Sequence, residues 1–177
     1  MAAQDIAAAI QRVESVLRRR PDAGLQSDES AVARWQRGTR VVACHANGTE
    51  VVTDMPVEIG GSGDQVTPGW LLRAALASCA VTRIAMAAAS EGIDLRTLEA
   101  QATSRSDARG LLGMADADGA PVSAGPKDVQ LAVRIGAPGV SAERLRALVQ
   151  QSGVCSPVSC AMEDTVPVKL HIEVEGA

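Results

Sequence analysis

Apolar residues recur along this chain with two periods, one helical and one extended, and the changes between them mark its elements. Ile6, Ile10, Val13 and Leu17 fall on one helical stripe. That helix is predicted to stop at Arg18, Arg19, Arg20 and Pro21, because cations suit a helix C-terminus and proline cannot continue one. The polar, glycine-containing stretch 22–29 reads as a linker. Residues 31–46 and 49–56 are predicted to be two strands joined at Asn47-Gly48, a dipeptide that favours a tight hairpin. Gly60, Gly61 and Gly63 then form a flexible approach to a long apolar stretch.

Residues 67–92, TPGWLLRAALASCAVTRIAMAAASEG, are predicted to form one long helix around which the rest packs. Thr67 can cap its free N–H groups, Pro68 has no N–H to lose at the first position, and Gly92 marks the end. Leu72, Leu76, Cys79 and Met86 share one face, while Leu71, Ala75, Ser78 and Ala85 cover most of the opposite side. A helix apolar on nearly all sides is a buried helix. Ala74, Ala75, Ala77, Ser78 and Ala80 crowd around Cys79, leaving room for another helix, its own copy included, to approach the sulfur closely.

Beyond that helix, 98–106 reads as a strand and 108–126 as an irregular excursion. Val129, Leu131, Val133 and Ile135 alternate as in a half-buried strand. Residues 141–151 read as a helix with Leu145 and Leu148 inward. Last come Val168, Leu170, Ile172 and Val174, alternating against Lys169, His171, Glu173 and Glu175, which predict a closing strand. The order of strands, buried helix, strands, helix and strand is an α+β pattern with antiparallel strands covering helices. Residues 1–30 form a helix and linker ahead of a single domain at 31–177.

Composition narrows the function. A chain of 177 residues suits one domain with a proper core, filled by Ala, Val, Leu and Ile because no Phe or Tyr occurs. The net charge of -4 lacks the basic excess that a nucleic-acid or anionic-membrane partner favours, so neither is expected. Arg73 and Arg83 argue against the central helix spanning a membrane. The first twenty residues lack the basic start and apolar core of a signal peptide, so the cytoplasm is expected. In that reducing compartment four cysteines point to packed thiols, metal ligands or redox chemistry rather than a disulfide framework.

Two constellations carry the candidate chemistry. Cys79 sits in mid-helix, where activating a thiolate needs a nearby cation, and Arg83 lies one turn on. The second is GVCSPVSC at 153–160, where Ser156 can cap a short helix opening at Pro157 and Cys155 and Cys160 flank its open N–H groups. Each cysteine has packing as its plainer use. Adjacent Cys44 and His45 point to opposite faces of a strand, and Cys155-x4-Cys160 lacks zinc spacing, so neither metal nor cofactor is expected. No nucleophile-elbow pattern supports a serine hydrolase.

Taken together, the glycine-rich lead into Thr67-Pro68, the stretch LLRAALASCAVTRIAMAAASEGIDL and Ser156-Pro157-Val158-Ser159 resemble the OsmC and organic hydroperoxide resistance (Ohr) family, over nearly all of 31–177. The resemblance implies an intertwined homodimer, two long central helices wrapped by antiparallel sheets, with sites between subunits. It implies a thiol-dependent peroxidase that reduces organic hydroperoxides in oxidative-stress defence, re-reduced by a dithiol donor. Cys79 matches the peroxidatic cysteine, and Arg37, with Arg40 second, matches the arginine that holds the thiolate. Gly69 stands where peroxidatic members carry glutamate, and Ser156 where they carry the resolving cysteine. Resolution then falls to Cys155 or Cys160, or to an external thiol, and the alternative function is a catalytically silent protein binding a small apolar molecule between subunits.

Overall fold

The computed structural model describes residues 3–164 and 166–175. Helix α1, Ala3–Arg19, ends within the arginine run, with Arg18 and Arg19 in its last turn beside the free carbonyls. It lies against the central helix, with Ile6, Ile10 and Leu17 half-buried and Val13 of the same stripe exposed. Strands β1 (Val32–Arg37), β2 (Arg40–Cys44) and β3 (Glu50–Thr53) form an antiparallel sheet in chain order. The expected single strand over 31–46 is therefore two strands. Gly38 takes a left-handed φ of +54° and closes a tight turn between Arg37 and Arg40, which face each other across the ladder. The second turn falls at Asn47-Gly48 as predicted, with Gly48 N–H donating to the His45 carbonyl at 3.0 Å.

The lead into the central helix is fastened by its backbone. Asp54 N–H donates to Val66 O at 3.1 Å, and Gly63 N–H to Met55 O at 3.2 Å. Gly61 lies so close that an added Cβ would stand 1.7 Å from the Met55 carbonyl oxygen. Helix α2 then runs over Pro68–Ser90, with Thr67 Oγ1 accepting from Trp70 N–H at 3.1 Å. Gly92, at φ +67°, ends it and lets Ile93 N–H return to Ala88 O at 2.8 Å.

Leu76, Ala80, Ile84 and Ala88 are buried along one row of α2, spaced four residues apart. Ile84 and Leu148 are essentially sealed from water, each worth about 1.5–3 kcal/mol by burial. Around them pack Leu98, Val133 and Ile135. These come from β4 (Thr97–Arg105) and, beyond the single-turn α3 (Ala108–Leu111), from β5 (Lys127–Gly136), which pair antiparallel with Thr97 opposite Gly136. Helix α4, Ala142–Gly153, turns Leu145 and Leu148 inward as its pattern predicts, and α5, Pro157–Glu163, crosses near the middle of α2. The described residues form an α+β fold with five α-helices and two small sheets.

Two features differ from the pattern-based reading. Helix α2 is covered on one side only: Leu72, Ala75, Ser78 and Thr82 form an exposed stripe, because one chain supplies neighbours for a single face. By length and composition α2 could cross a membrane, but here it is the core helix, packed against α1, β4, α4 and α5. The predicted closing strand joins neither sheet. Among the described residues no ladder reaches 166–175, and Val168, Leu170, Ile172 and Val174 are exposed. Alternation makes a segment ready for a sheet edge but does not choose the edge, and here the open edges of both sheets are left unpaired by it.

Candidate active site

Helix α2 holds Cys79 at its midpoint, half-buried at the border of the exposed stripe. Opposite it the chain leaves α4 through two tight turns, Cys155 N–H donating to Ser152 O at 3.2 Å and Ser156 N–H to Gly153 O at 3.1 Å. Pro157 then opens α5, with Cys160 N–H bonded to Ser156 O at 2.9 Å. These bonds fix the position of Ser156. Its side chain is fully buried, and its hydroxyl donates to Cys79 Sγ at 3.2 Å.

That contact replaces the expected helix cap. Ser156 sits at the N-cap of α5, yet its hydroxyl makes no cap bond and turns to the sulfur instead. A buried hydroxyl left without a partner is costly, and the Cys79 sulfur supplies one. The sequence carries a signal for this partnership, since Ser156 occupies the place where the resemblance calls for a second cysteine.

The other candidate residues are distributed differently. Cys155, one place earlier, faces solvent. Cys160, within α5, donates to Val154 O at 3.5 Å. Arg37 lies exposed at the end of β1. Arg40 is committed to a separate cluster, reaching Asp54 Oδ2 at 3.4 Å, Ser62 Oγ at 2.7 Å and the Asp64 carboxylate. Among the described residues no hydrogen bond joins Arg37 or Arg40 to Cys79 within one chain. Arg83, one turn beyond Cys79, leans its guanidinium toward Met86 Sδ at 3.8 Å, and its buried Nε has no hydrogen-bond partner. Cys44 lies at the end of β2, in the same sheet as Arg37 and Arg40, its sulfur 3.4 Å from Arg34 Nη1.

The Arg40 cluster went unmarked in the sequence because its members are far apart in the chain. Asp54 is buried and accepts from the Ser62 hydroxyl at 2.5 Å, the Thr39 hydroxyl at 2.5 Å, Met55 N–H at 2.8 Å and Ser62 N–H at 3.2 Å. The Ser62 and Thr39 hydroxyls hold its carboxyl well below the usual carboxylate range. Asp64 is lowered to about 2, chiefly by Arg40 and then by Ser62. The cluster buckles the first sheet to the loop that feeds α2.

At Gly69, where the resemblance calls for glutamate, an added Cβ would meet Arg73 Nη1 at 3.8 Å and Thr67 Oγ1 at 3.9 Å. That space is open to a side chain. Beside the site lies an apolar cleft of about 480 Å³, walled by Leu72, Leu76, Val129, Leu131 and Met162, with Ser159 and Glu163 among its few polar groups. Leu76 is one turn before Cys79 on α2, and Ser159 one turn after Ser156 on α5, so the cleft adjoins the thiol–hydroxyl contact. Among the described residues no three His, Cys, Asp or Glu side chains converge as a metal site.

The family model described as OsmC-like protein matches residues 61–171, which include both Cys79 and Ser156. No curated protein sequence matches the chain. Among solved structures, an OsmC-like protein from Mycoplasma pneumoniae aligns with a TM-score of 0.65 at 15% identity, over 80% of this chain and 91% of that one. An organic hydroperoxide resistance protein OsmC from Legionella pneumophila aligns at 0.57 with 21% identity, over 84% and 100%. An osmotic stress and detoxification response protein from Psychrobacter arcticus aligns at 0.59 with 23% identity, over 77% and 90%.

Proposed function

This chain belongs to the OsmC-like protein family, and on that footing we propose that it is a thiol-dependent peroxidase whose Cys79 reduces organic hydroperoxides. The observation that carries the reading is the 3.2 Å bond from the buried Ser156 hydroxyl to Cys79 Sγ. It gives the Cys79 sulfur a donor from a fully buried side chain, whereas the donor on Cys44 is the exposed Arg34. In the reaction the Cys79 thiolate attacks the terminal peroxide oxygen, the O–O bond breaks, and the alkoxide leaves as an alcohol after taking a proton. The sulfur becomes a sulfenic acid, oxidised by the two electrons the peroxide gains. The adjoining cleft suits an apolar organic group on the peroxide.

The working form in this proposal is a cytoplasmic homodimer. A second copy would cover the stripe of Leu72, Ala75, Ser78 and Thr82, and Arg37 would serve a thiolate across the interface. In this proposal residues 1–30 are an accessory to a single domain at 31–177, which contains the matched span 61–171. Consumption of cumene hydroperoxide in the presence of a dithiol, by the wild type and not by Cys79→Ser, is the expected result. A wild type that consumes none with any dithiol sinks the reading.

One observation favours a second reading, a catalytically silent binding protein: the cleft walls are apolar and exclude Cys79 from their lining. Binding of a neutral apolar probe, unchanged in Cys79→Ser and accompanied by no peroxide consumption, would select it.

A further inference from the structure

We propose that the oxidised Cys79 is reduced directly by a thiol from outside the chain, because Ser156 fills the place from which a resolving cysteine would act. This rests on the peroxidase reading and adds the route by which the enzyme returns to its starting state. Ser156 is fully buried with its hydroxyl on the sulfur, so the nearest approach to Cys79 from α5 belongs to an oxygen. An oxygen there can hydrogen-bond a thiolate or a sulfenic acid, but it cannot form a disulfide. Cys155 and Cys160 are displaced from that approach in opposite senses. The Cys155 side chain faces solvent from a turn held by its own N–H on Ser152 O, and Cys160 is one helical turn on, its thiol donating to Val154 O. Disulfides tolerate only a narrow range of Cα separations and Cβ directions, and in this structure the contact with Cys79 belongs to the serine while the Cys155 sulfur faces solvent and the Cys160 thiol is on Val154 O.

The balanced cycle then needs two equivalents of external thiol. The first attacks the Cys79 sulfur of the sulfenic acid: an S–S bond forms, the S–O bond breaks, and the hydroxyl leaves as water with the proton of the incoming thiol. The second attacks the sulfur of the first, releasing the small disulfide and returning the Cys79 thiol. The sum is one hydroperoxide and two thiols giving an alcohol, water and a disulfide. Ser156 is a positioning residue in this cycle, holding the Cys79 sulfur in one orientation through both sulfur states.

Two arms of one experiment test this, both read by peptide mapping without reduction. In the first, wild type and Ser156→Cys are treated with diamide, which joins neighbouring thiols without any peroxide chemistry. The expected result is near-complete bonding of Cys79 to the introduced thiol in the variant and no intramolecular disulfide at Cys79 in the wild type. A Cys79–Cys155 or Cys79–Cys160 bond in the wild type overturns the proposal, as does a variant whose introduced thiol stays free. In the second arm the wild type receives one equivalent of cumene hydroperoxide and then 2-mercaptoethanol in substoichiometric amount. A mercaptoethanol adduct on Cys79 is expected. A disulfide within the chain overturns the external route, whereas an unmodified Cys79 overturns the hydroperoxide reading itself, which the diamide arm does not touch.

Discussion

The Ser156 hydroxyl donates to Cys79 Sγ at 3.2 Å across 77 residues of sequence, from the N-cap of one helix to the middle of another. Two reactive-looking segments thereby become one site. A donor fixed on a sulfur stabilises it most when it is charged. Ser156→Ala is therefore expected to slow the reaction of Cys79 with hydroperoxide by about tenfold or more, the usual worth of a hydrogen bond to a charged acceptor. Stopped-flow kinetics of sulfenic acid formation would measure it, and an unchanged rate constant would mean the hydroxyl only fills space.

Arg37 and Arg40 are adjacent across one turn yet differ in what holds them. Arg40 is bound to Asp54, Asp64 and Ser62, so Arg40→Ala is expected to lower the melting temperature by several degrees, leaving the buried Asp54 without its cation. Arg37 is exposed, and Arg37→Ala is expected to leave the melting temperature unchanged while lowering kcat/KM for hydroperoxide about tenfold, the worth of one charge-assisted bond. Thermal melts beside the peroxidase assay separate the two roles. The reverse pattern would assign the thiolate to Arg40.

The same cluster gives an acid dependence. Asp64 is lowered from the ordinary 3.8 to about 2, so the folded state favours its carboxylate more than the unfolded state does. Its stabilising contribution is complete above the ordinary value and is lost as pH falls from 3.8 toward about 2. Asp54, also depressed, adds in the same direction. Melting temperature against pH should fall across that window in the wild type and more shallowly in Asp64→Asn. Parallel curves would show that the cluster is not the acid-sensitive fastening.

The exposed alternating segment at 166–175 and the uncovered stripe on α2 are what a second copy would pair with and cover. Light scattering after size exclusion is expected to give a dimer mass. Leu170→Asp and Ile172→Asp, which place charge on the apolar face of that segment, should shift the protein toward monomer. A monomeric wild type would remove Arg37 from the site, since within one chain no hydrogen bond joins it to Cys79 among the described residues.

Much of this was legible in the sequence where local rules decide the outcome. Thr67, Pro68 and Gly92 bounded α2 because capping and left-handed turns depend on a few neighbouring residues. The 3.6-residue and two-residue periods located α1, α4, β4 and β5, whose cores face one way. Gly38 gives little sign of its turn, because a glycine followed by threonine is a weaker turn signal than Asn47-Gly48, and only its φ reveals the break. The closing strand failed for another reason: alternation reports a preference for a sheet but not which edge takes the segment, and within the described residues the open edges of both sheets stay unpaired with it. The Ser156 contact was half legible. Its place matched the second cysteine of the resemblance, but its local position between Cys155 and Pro157 read as a helix cap, and only tertiary packing turns the hydroxyl to Cys79. Asp54 and its partners left no pattern, since Thr39, Arg40 and Ser62 meet it, and Asp64 meets Arg40, only through the fold of the loop.

The most direct measurement is the mass of the Cys79 peptide after the protein meets one equivalent of cumene hydroperoxide in the presence of dimedone, which traps sulfenic acids. A peroxidatic Cys79 predicts a dimedone adduct on that residue, formed ahead of any on Cys44, Cys155 or Cys160. An unmodified Cys79, or a label that falls first on the solvent-facing Cys155, would contradict it.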